Sequence, residues 1–384
     1  MKPRPSVALI VETSVVYGRQ ILQGVSRYMR AHGSWSVFLD ERELGAPPPH
    51  WLLDWNGDGV ICRPTTPELA DLLKQRSFPV IDLNDQYGAI GLPRISSDMQ
   101  AIGRMAAQHL LERGFENLAY CGFTNEKWSQ ERLLGVEQAL VGRNELCGIY
   151  ESSWENLRNQ AWEQERDLIS AWLETLPRPL GIVACNDARG HHVLEACKML
   201  GAAVPESIAV VGVDNAQTFC DMCSPPLSSV MPDAERIGYQ AAGLLEQMME
   251  GEIPQNVDWK LPPVGVVSRQ STDALAIEDI SVAQAIRFIR DHACDGISVE
   301  DVLSRTPMSR SSLERAFRTY IGRSPQEEIR VVRMKRVKQL LVETEYSLAR
   351  IADLSGYKHP EYMMVQFKRL TGKTPSEWRQ HGGR

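Results

Sequence analysis

At 384 residues the chain is too long for one ordinary core, and two or three domains are expected. Its charge is divided unevenly: residues 276–384 hold 19 Lys+Arg against 14 Asp+Glu, a net +5, while residues 1–275 are net −12. An acidic body with a basic end confines nucleic-acid contact to that end, and the lack of any apolar run of about 18 residues excludes a helical membrane span.

Met1-Lys-Pro-Arg-Pro5 leads straight into apolar Val7–Val11 without a cleavage-site pattern, so a cytoplasmic protein is expected, associated with the nucleoid when bound to DNA. Eight scattered cysteines fit a reducing compartment. Cys220-x-x-Cys223 lacks a second ligand pair and runs into Pro225-Pro226, so neither a metal site nor a redox motif is expected there.

Taken in order, Val7–Val11 is the first expected strand. Tyr17–Ala31 is a helix whose Ile21, Leu22, Val25, Tyr28 and Met29 recur at helical spacing. Strands follow at Trp35–Leu39, Gly59–Cys62, Val80–Leu83 and Arg94–Ser96, with a helix at Pro67–Gln75. After Asp98 comes a helix to Glu112, then strand Leu118–Cys121, helix Ser129–Val141, strand Gly148–Tyr150 and helix Asn159–Leu176. Strand Gly181–Cys185, helix Ala188–Leu200 and strand Ile208–Val213 complete the series, and Val264–Val267 is a last strand. This alternation predicts an α/β fold of parallel sheets covered by helices, with ligands at the carboxyl ends of strands.

The residues at those ends are polar or charged. Val11 is followed by Glu12-Thr13-Ser14, Cys185 by Asn186-Asp187-Ala188-Arg189, and Val213 by Asp214-Asn215. With Trp128 and Arg132 they suit a neutral sugar: planar donors and carboxylates for hydroxyls, an aromatic face for the ring. Residues 6–270 resemble the effector-binding domain of LacI/GalR-type repressors. The matches are Asp58-Gly-Val-Ile61, Asp98 before Ala101–Leu111, Arg132-x-x-Gly135, Asn186-Asp187, Val210-Val-Gly-Val-Asp214 and Ser268-Arg269-x-Ser-Thr272. The resemblance implies a two-lobed, periplasmic-binding-protein-like sensor in which Arg132, Asn186 and Asp214 contact the sugar. Such repressors begin with their own helix-turn-helix; nothing before Val7 has room for one, so DNA binding must come from the other end.

That end begins with a helix from Asp279 to Ala293. Next, Val299–Leu303 and Ser309–Arg318 form one helix-turn-helix, with Ser309 as N-cap and Leu313, Ala316, Phe317 and Tyr320 as the inner stripe. The basic helix Gln326–Glu343, about 27 Å long, leads to a second pair, Ser347–Leu354 and Pro360–Leu370. The spacing suits two recognition helices in successive major grooves. Leu313–Phe317, Gly322-x-Ser-Pro325, Ile351-Ala352, Gly356-Tyr357, Gly372-x-Thr-Pro375 and Trp378-Arg379 resemble the AraC-type DNA-binding domain. Pro307 and Met363-Met364-Val365 depart from that pattern, and the second helix is expected to read DNA through methyl contacts and shape rather than hydrogen bonds. Candidate DNA contacts are Arg310, Ser311, Ser312, Glu314, Arg315 and Arg318 on the first recognition helix and Lys338 on the connecting helix. His359, Glu361, Met364, Val365 and Lys368 are the candidates on the second.

Sensor first and reader last, with Tyr17-x-Arg19-Gln20, Asp187-Ala-Arg189, Gly238-Tyr-Gln-Ala-Ala242 and Ile289-Arg-x-His-Ala-Cys294, resembles the bacterial xylose-responsive operon activators over essentially the whole chain. This resemblance adds Tyr17 and Arg19 to Ser14, Trp128, Arg132, Asn186, Asp187, Arg189 and Asp214 as sugar-site candidates. It implies D-xylose as effector (another pentose or a hexose being the alternative), operator DNA and RNA polymerase as partners, a homodimer, and no cofactor. No Gly-x-Gly-x-x-Gly, phosphate loop, Gly-x-Ser-x-Gly or His-Glu-x-x-His is present, and His191 and His192 point different ways, so an enzyme is not expected. A transport protein would not explain the double basic motif. The expected domains are 1–272, the sensor, and 273–384, the reader, with helix-turn-helix motifs at about 298–318 and 347–371. Their junction, Gln270–Asp279, contains no Pro or Gly.

Overall fold

Strand β1 (Ser6–Ile10) buries four successive apolar residues, Val7 to Ile10, as a strand covered on both faces must. The computed structural model describes the chain apart from residues 1–3, 40, 44–45, 144, 155–161, 253–256, 274–276, 278, 345 and 381–384. In it β1 belongs to a six-stranded sheet with β2 (Ser36–Leu39), β3 (Gly59–Cys62), β4 (Val80–Asp82), β5 (Arg94–Ser97) and β11 (Asp258–Leu261), in the order β11-β5-β4-β3-β1-β2. Every pair in this sheet is parallel. A second six-stranded sheet contains β6 (Asn117–Thr124), β7 (Gly148–Ser153), β8 (Leu180–Ala184), β9 (Ile208–Val213), β10 (Ser228–Met231) and β12 (Gly265–Val267), in the order β12-β10-β9-β8-β6-β7. There β12 runs antiparallel to β10, while β6 pairs in parallel with both β7 and β8.

Helices α1 (Val16–His32) and α2 (Pro67–Leu73) cover the first sheet; α4 (Lys127–Ala139), α5 (Trp162–Glu174), α6 (Asp187–Met199) and α7 (Gln217–Met222) accompany the second. Two helices change sides. After β5, Asp98 caps α3 (Met99–Leu111) through the Ala101 amide at 2.8 Å, and α3 packs on α4 and the second sheet. After β10, α8 (Ala234–Met249) packs on α1 and the first sheet. The chain crosses a third time from β11 to β12 through Pro262-Pro263. These crossings are bonded together, Asp98 N–H to the Leu261 carbonyl at 2.8 Å and Val264 N–H to the Met231 carbonyl at 2.9 Å. They define a two-lobed α/β sensor, the fold expected from the strand–helix alternation.

Each side-changing helix is received by paired glycines. A Cβ on Gly24 of α1 would lie 1.9 Å from the Glu235 carbonyl, and one on Gly238 of α8 would lie 1.9 Å from that of Ile21. Between α3 and α4, a Cβ on Gly103 would lie 1.9 Å from the Arg132 carbonyl and one on Gly135 would lie 2.0 Å from that of Gln100. Gly135 in Arg132-x-x-Gly135 therefore permits the backbone approach that seats Arg132. The end of the sensor is fastened by Thr272, whose hydroxyl bonds His109 at 2.8 Å and whose carbonyl accepts from Arg113 at 2.8 Å.

The chain divides into two compact units: Met1–Leu200 with Ala209–Asp273, and Gly201–Ile208 with Ala274–Arg384. The second holds α9 (Ile280–His292), α10 (Val299–Leu303), α11 (Arg310–Ile321), α12 (Pro325–Glu343), α13 (Leu348–Leu354), α14 (Pro360–Thr371) and α15 (Pro375–Gln380). It has two small cores. Val282, Ile286, Ile289, Val302, Leu313, Phe317 and Ile329 are in the first; Val337, Leu341, Ile351, Met363 and Phe367 are in the second. Helix α12 serves both. Ser298, Ser309, Ser324 and Ser347 each cap a helix through its third-position amide, each worth about 1 kcal/mol.

The expected helix Asn159–Leu176 is described from Trp162; its first residues lie outside the described set. Gly238→Ala should destabilise the sensor by about 1–3 kcal/mol, because backbone rather than a side-chain tip must yield. A urea midpoint equal to that of the parent would show that α1 and α8 have room to separate.

Candidate functional site

The carboxyl ends of β1, β3, β4, β8 and β9 open on one cavity of about 310 Å³ within the sensor. Ser14, Tyr17, Arg19, Trp128, Arg132, Asn186, Asp187 and Asp214, all sugar-site candidates from the sequence, line it. So do Arg63, Asp85, Trp154 and Phe219, which sequence reasoning missed. A second chamber of about 290 Å³, lined among others by Glu12, Arg42 and Asn84, shares Arg63, Asp85 and Trp128 with it.

Two arginine–carboxylate pairs organise the cavity, one from each lobe. Arg63 Nη2 lies 2.6 Å from Asp85, and the same guanidinium contacts Glu12 and stacks 4.9 Å over the Tyr17 ring. In the other lobe Arg132 Nη2 lies 3.5 Å from Asp214, while Nη1 donates to the Cys185 carbonyl and the guanidinium sits 5.1 Å over Trp128. Arg132 Nε and Asp85 Oδ1 are buried and have no hydrogen-bond partner among the described residues. Asp214 holds φ at +104°, a backbone conformation rare for any residue other than glycine, at a cost of about 1–3 kcal/mol. Asn186 caps α6 through the Arg189 amide at 2.9 Å, and Tyr17 hydroxyl bonds Ser97 at 2.8 Å. Arg19 is exposed and donates to the Thr13 and Ser14 carbonyls at 2.7 and 2.9 Å.

Asp187 accepts from Ser229 Oγ at 2.6 Å and from the Ala216 amide at 2.8 Å. Burial, and then the charge of Asp214, push its carboxyl up to about 7 against these hydrogen bonds. Burial also raises Asp214, opposed by Arg132 and Arg63. Carboxylates beside fixed guanidinium forks, with Tyr17, Trp128, Trp154 and Phe219 around them, can bind a ring bearing several adjacent hydroxyls.

Arg189 is a correction. Its side chain is fully buried and does not line the cavity. The guanidinium pairs with Glu165, donates to Ser152 and, at 3.2 Å, to the Gly122 carbonyl, and lies 4.1 Å over Phe123. It braces β6, β7 and α5 beneath the site.

In the reader, Ser311, Arg315 and Arg318 are exposed on α11. Arg310 is exposed but paired with Glu300 at 2.6 Å and lies 3.6 Å from Glu314; Ser312 is half-buried, its amide bonded to Ser309. Lys338 places Nζ 5.1 Å over the Trp378 ring. On α14 and its cap, His359, Glu361, Val365 and Lys368 are exposed. Met364 instead packs against the second core, so the methyl surface expected of this helix reduces to Val365, with Tyr362 exposed beside it.

Three family models match in succession: XylR N-terminal domain over residues 6–92, periplasmic binding protein-like domain over 107–272, and helix-turn-helix domain over 302–381. The Xylose operon regulatory protein of Escherichia coli (strain K12) is 32% identical over 98% of this chain and 97% of its own. The chain belongs to the xylose operon regulatory protein family. The Haemophilus influenzae member is 32% identical over 97% of both chains. A solved structure, that of the xylose-binding transcription activator xylR, superposes with a TM-score of 0.84 at 30% identity over the whole of both chains.

Like the other members of this family, the chain is a transcription regulator, and its Asp187 gives it a pH signature. The folded-state value lies above the ordinary 3.8, so the folded protein keeps a proton that the unfolded chain has lost. That contribution is fully present below the ordinary value and is lost as pH rises toward 7. Taken alone this lowers the urea midpoint between about pH 4 and about pH 7, while His109 and His192, which burial holds down to about 4, act in the opposite sense. Asp187→Asn should therefore remove the falling component. An unchanged slope in the variant would remove Asp187 as its source. Arg189→Met should cost about 3–5 kcal/mol by leaving Glu165 buried without its partner. A marginal loss of stability together with weakened sugar binding would return Arg189 to the site.

Proposed function

We propose that this regulator binds D-xylose in the sensor cavity and, in response, activates transcription from operator DNA gripped by α11 and α14. The observation that carries this reading is the cavity itself. Two guanidinium–carboxylate pairs and four aromatic rings converge at strand ends, in a chain matched end to end by regulators named for a xylose operon. On this reading Ser14, Tyr17, Arg19, Arg132, Asn186, Asp187 and Asp214 hold the sugar hydroxyls, and Trp128 covers an apolar face of the ring. Arg315, Arg318 and Ser311 read bases in one half-site; Val365, Glu361, His359 and Lys368 face the other. The protein acts in the cytoplasm as a homodimer, engages RNA polymerase as an activator, and performs no catalysis.

A thermal-shift series separates the effector from its alternatives, since a ligand that binds only the folded state raises the melting temperature. D-xylose should raise it most among pentoses and hexoses; a larger rise with another sugar would reassign the effector. Asp214→Ala should weaken D-xylose at least about tenfold, the loss of a charge-assisted bond being about 1.5–3 kcal/mol. Wild-type affinity in that variant would take Asp214 out of the site. For DNA, Arg315→Ala should relax base preference, whereas Lys338→Ala should weaken specific and random duplexes alike. Equal losses on both duplexes for Arg315→Ala would contradict its role as a base reader.

A further inference from the structure

Gly201–Ile208 joins α6 to β9 of the sensor, yet this stretch packs as part of the reader. Ala203 is 3% exposed and shares a core with Ile277, Val282, Ile286 and Ile289. Arg287 donates to the Ala202 carbonyl at 2.7 Å, and the Ile277 amide to the Glu206 carbonyl at 3.1 Å. Glu206 is completely buried, with its carboxylate against Arg290. Arg290 Nε lies 3.6 Å from Glu328, which also pairs with Arg323. Glu328 stands in the first turn of α12, the helix common to both helix-turn-helix motifs. Buried charges of this kind add little net stability, but removing one partner strands the other. They hold the stretch in one register.

The far ends of the two elements it joins are both in the sensor cavity. Helix α6 starts at the Asn186 cap and Asp187, and β9 runs directly into Asp214. The Asp187 carboxylate fixes these ends to one another through the Ala216 amide and Ser229. A helix of 13 residues, about 20 Å long, is stiff, so a displacement of its capped end is delivered to the other end.

Resting on the sugar-responsive reading above, we propose that Gly201–Ile208 is the lever that carries sugar occupancy into the reader. Sugar shifts the Asn186–Asp187 turn relative to Asp214; α6 and β9 convey that shift to Ala203 and Glu206; Arg290 and Glu328 pass it to α12. On this proposal the covalent junction between the two units is not the transmitter.

The test uses the full-length protein, D-xylose, and a labelled duplex selected by the wild-type protein from random sequence. Sugar affinity is measured by calorimetry, and DNA affinity by anisotropy with and without D-xylose. Glu206→Gln should leave sugar affinity and sugar-free DNA affinity within about threefold of wild type, while the sugar-induced change in DNA affinity shrinks at least about fivefold. An undiminished sugar-induced change overturns the lever. Should Glu206→Gln fail to melt cooperatively, a Gly-Ser insertion after Gly201 carries the same readout. Gly201 lies at φ +65° with nothing near the Cβ position, so the insertion enters a permissive turn. There too, loss of the response supports the lever and retention refutes it. A wild-type protein that binds D-xylose without any change in DNA affinity refutes the lever alone; one that binds no D-xylose refutes the functional reading with it.

Discussion

A carboxylate facing a partly enclosed cavity keeps its charge only beside a cation or several donors. Here that requirement is met by guanidinium groups that come from different elements than the acids they serve. Arg132 rises from α4 to Asp214 at the end of β9, and Arg63, just beyond β3, reaches Asp85 beyond β4. Each pair needs two parallel strands or a strand and a helix held in register. That is why the glycine contacts matter so far from the cavity: Gly103 lets α3 approach the carbonyl of Arg132 closely, and so sets where its guanidinium lies. The positive φ of Asp214 is a second cost accepted for the same geometry.

Much of this was legible in the sequence because parallel strands buried on both faces read as apolar runs, and their ends then show as abrupt polar residues. The α/β sensor, the double helix-turn-helix, and most of the residues around the cavity followed from that signal and from motif spacing. The same rule would have found Arg63 after Cys62 and Asp85 after Leu83-Asn84, had every strand end been treated alike. Trp154 lay hidden because β7 continues to Ser153, past the three residues read as strand, and Phe219 sits on a helix too short for its period to show.

Other features were invisible for a different reason. Nothing about Arg189 in isolation distinguishes a ligand donor from a buried brace; the difference is made by Glu165, contributed by another helix. Met364 at the second recognition helix is decided likewise by the core it leans on, and not by its own position in the sequence. Nor does an alternation of strands and helices reveal that Gly201–Ile208, the connection from α6 into the first residue of β9, packs with a different unit, because its composition is that of an ordinary loop.

The two cores of the reader differ in ancestry of contact. The first includes Ala203, from before the end of the sensor, whereas the second draws only on residues from Met334 onward. On the function proposed above, substitutions on the free face of α14 would alter which sequence is preferred while leaving untouched the half of the reader whose core includes Ala203. If the proposed lever holds, a lineage could move such a regulator to new promoters without giving up its inducer, since recognition would be free to drift on one copy while obedience is retained in the other.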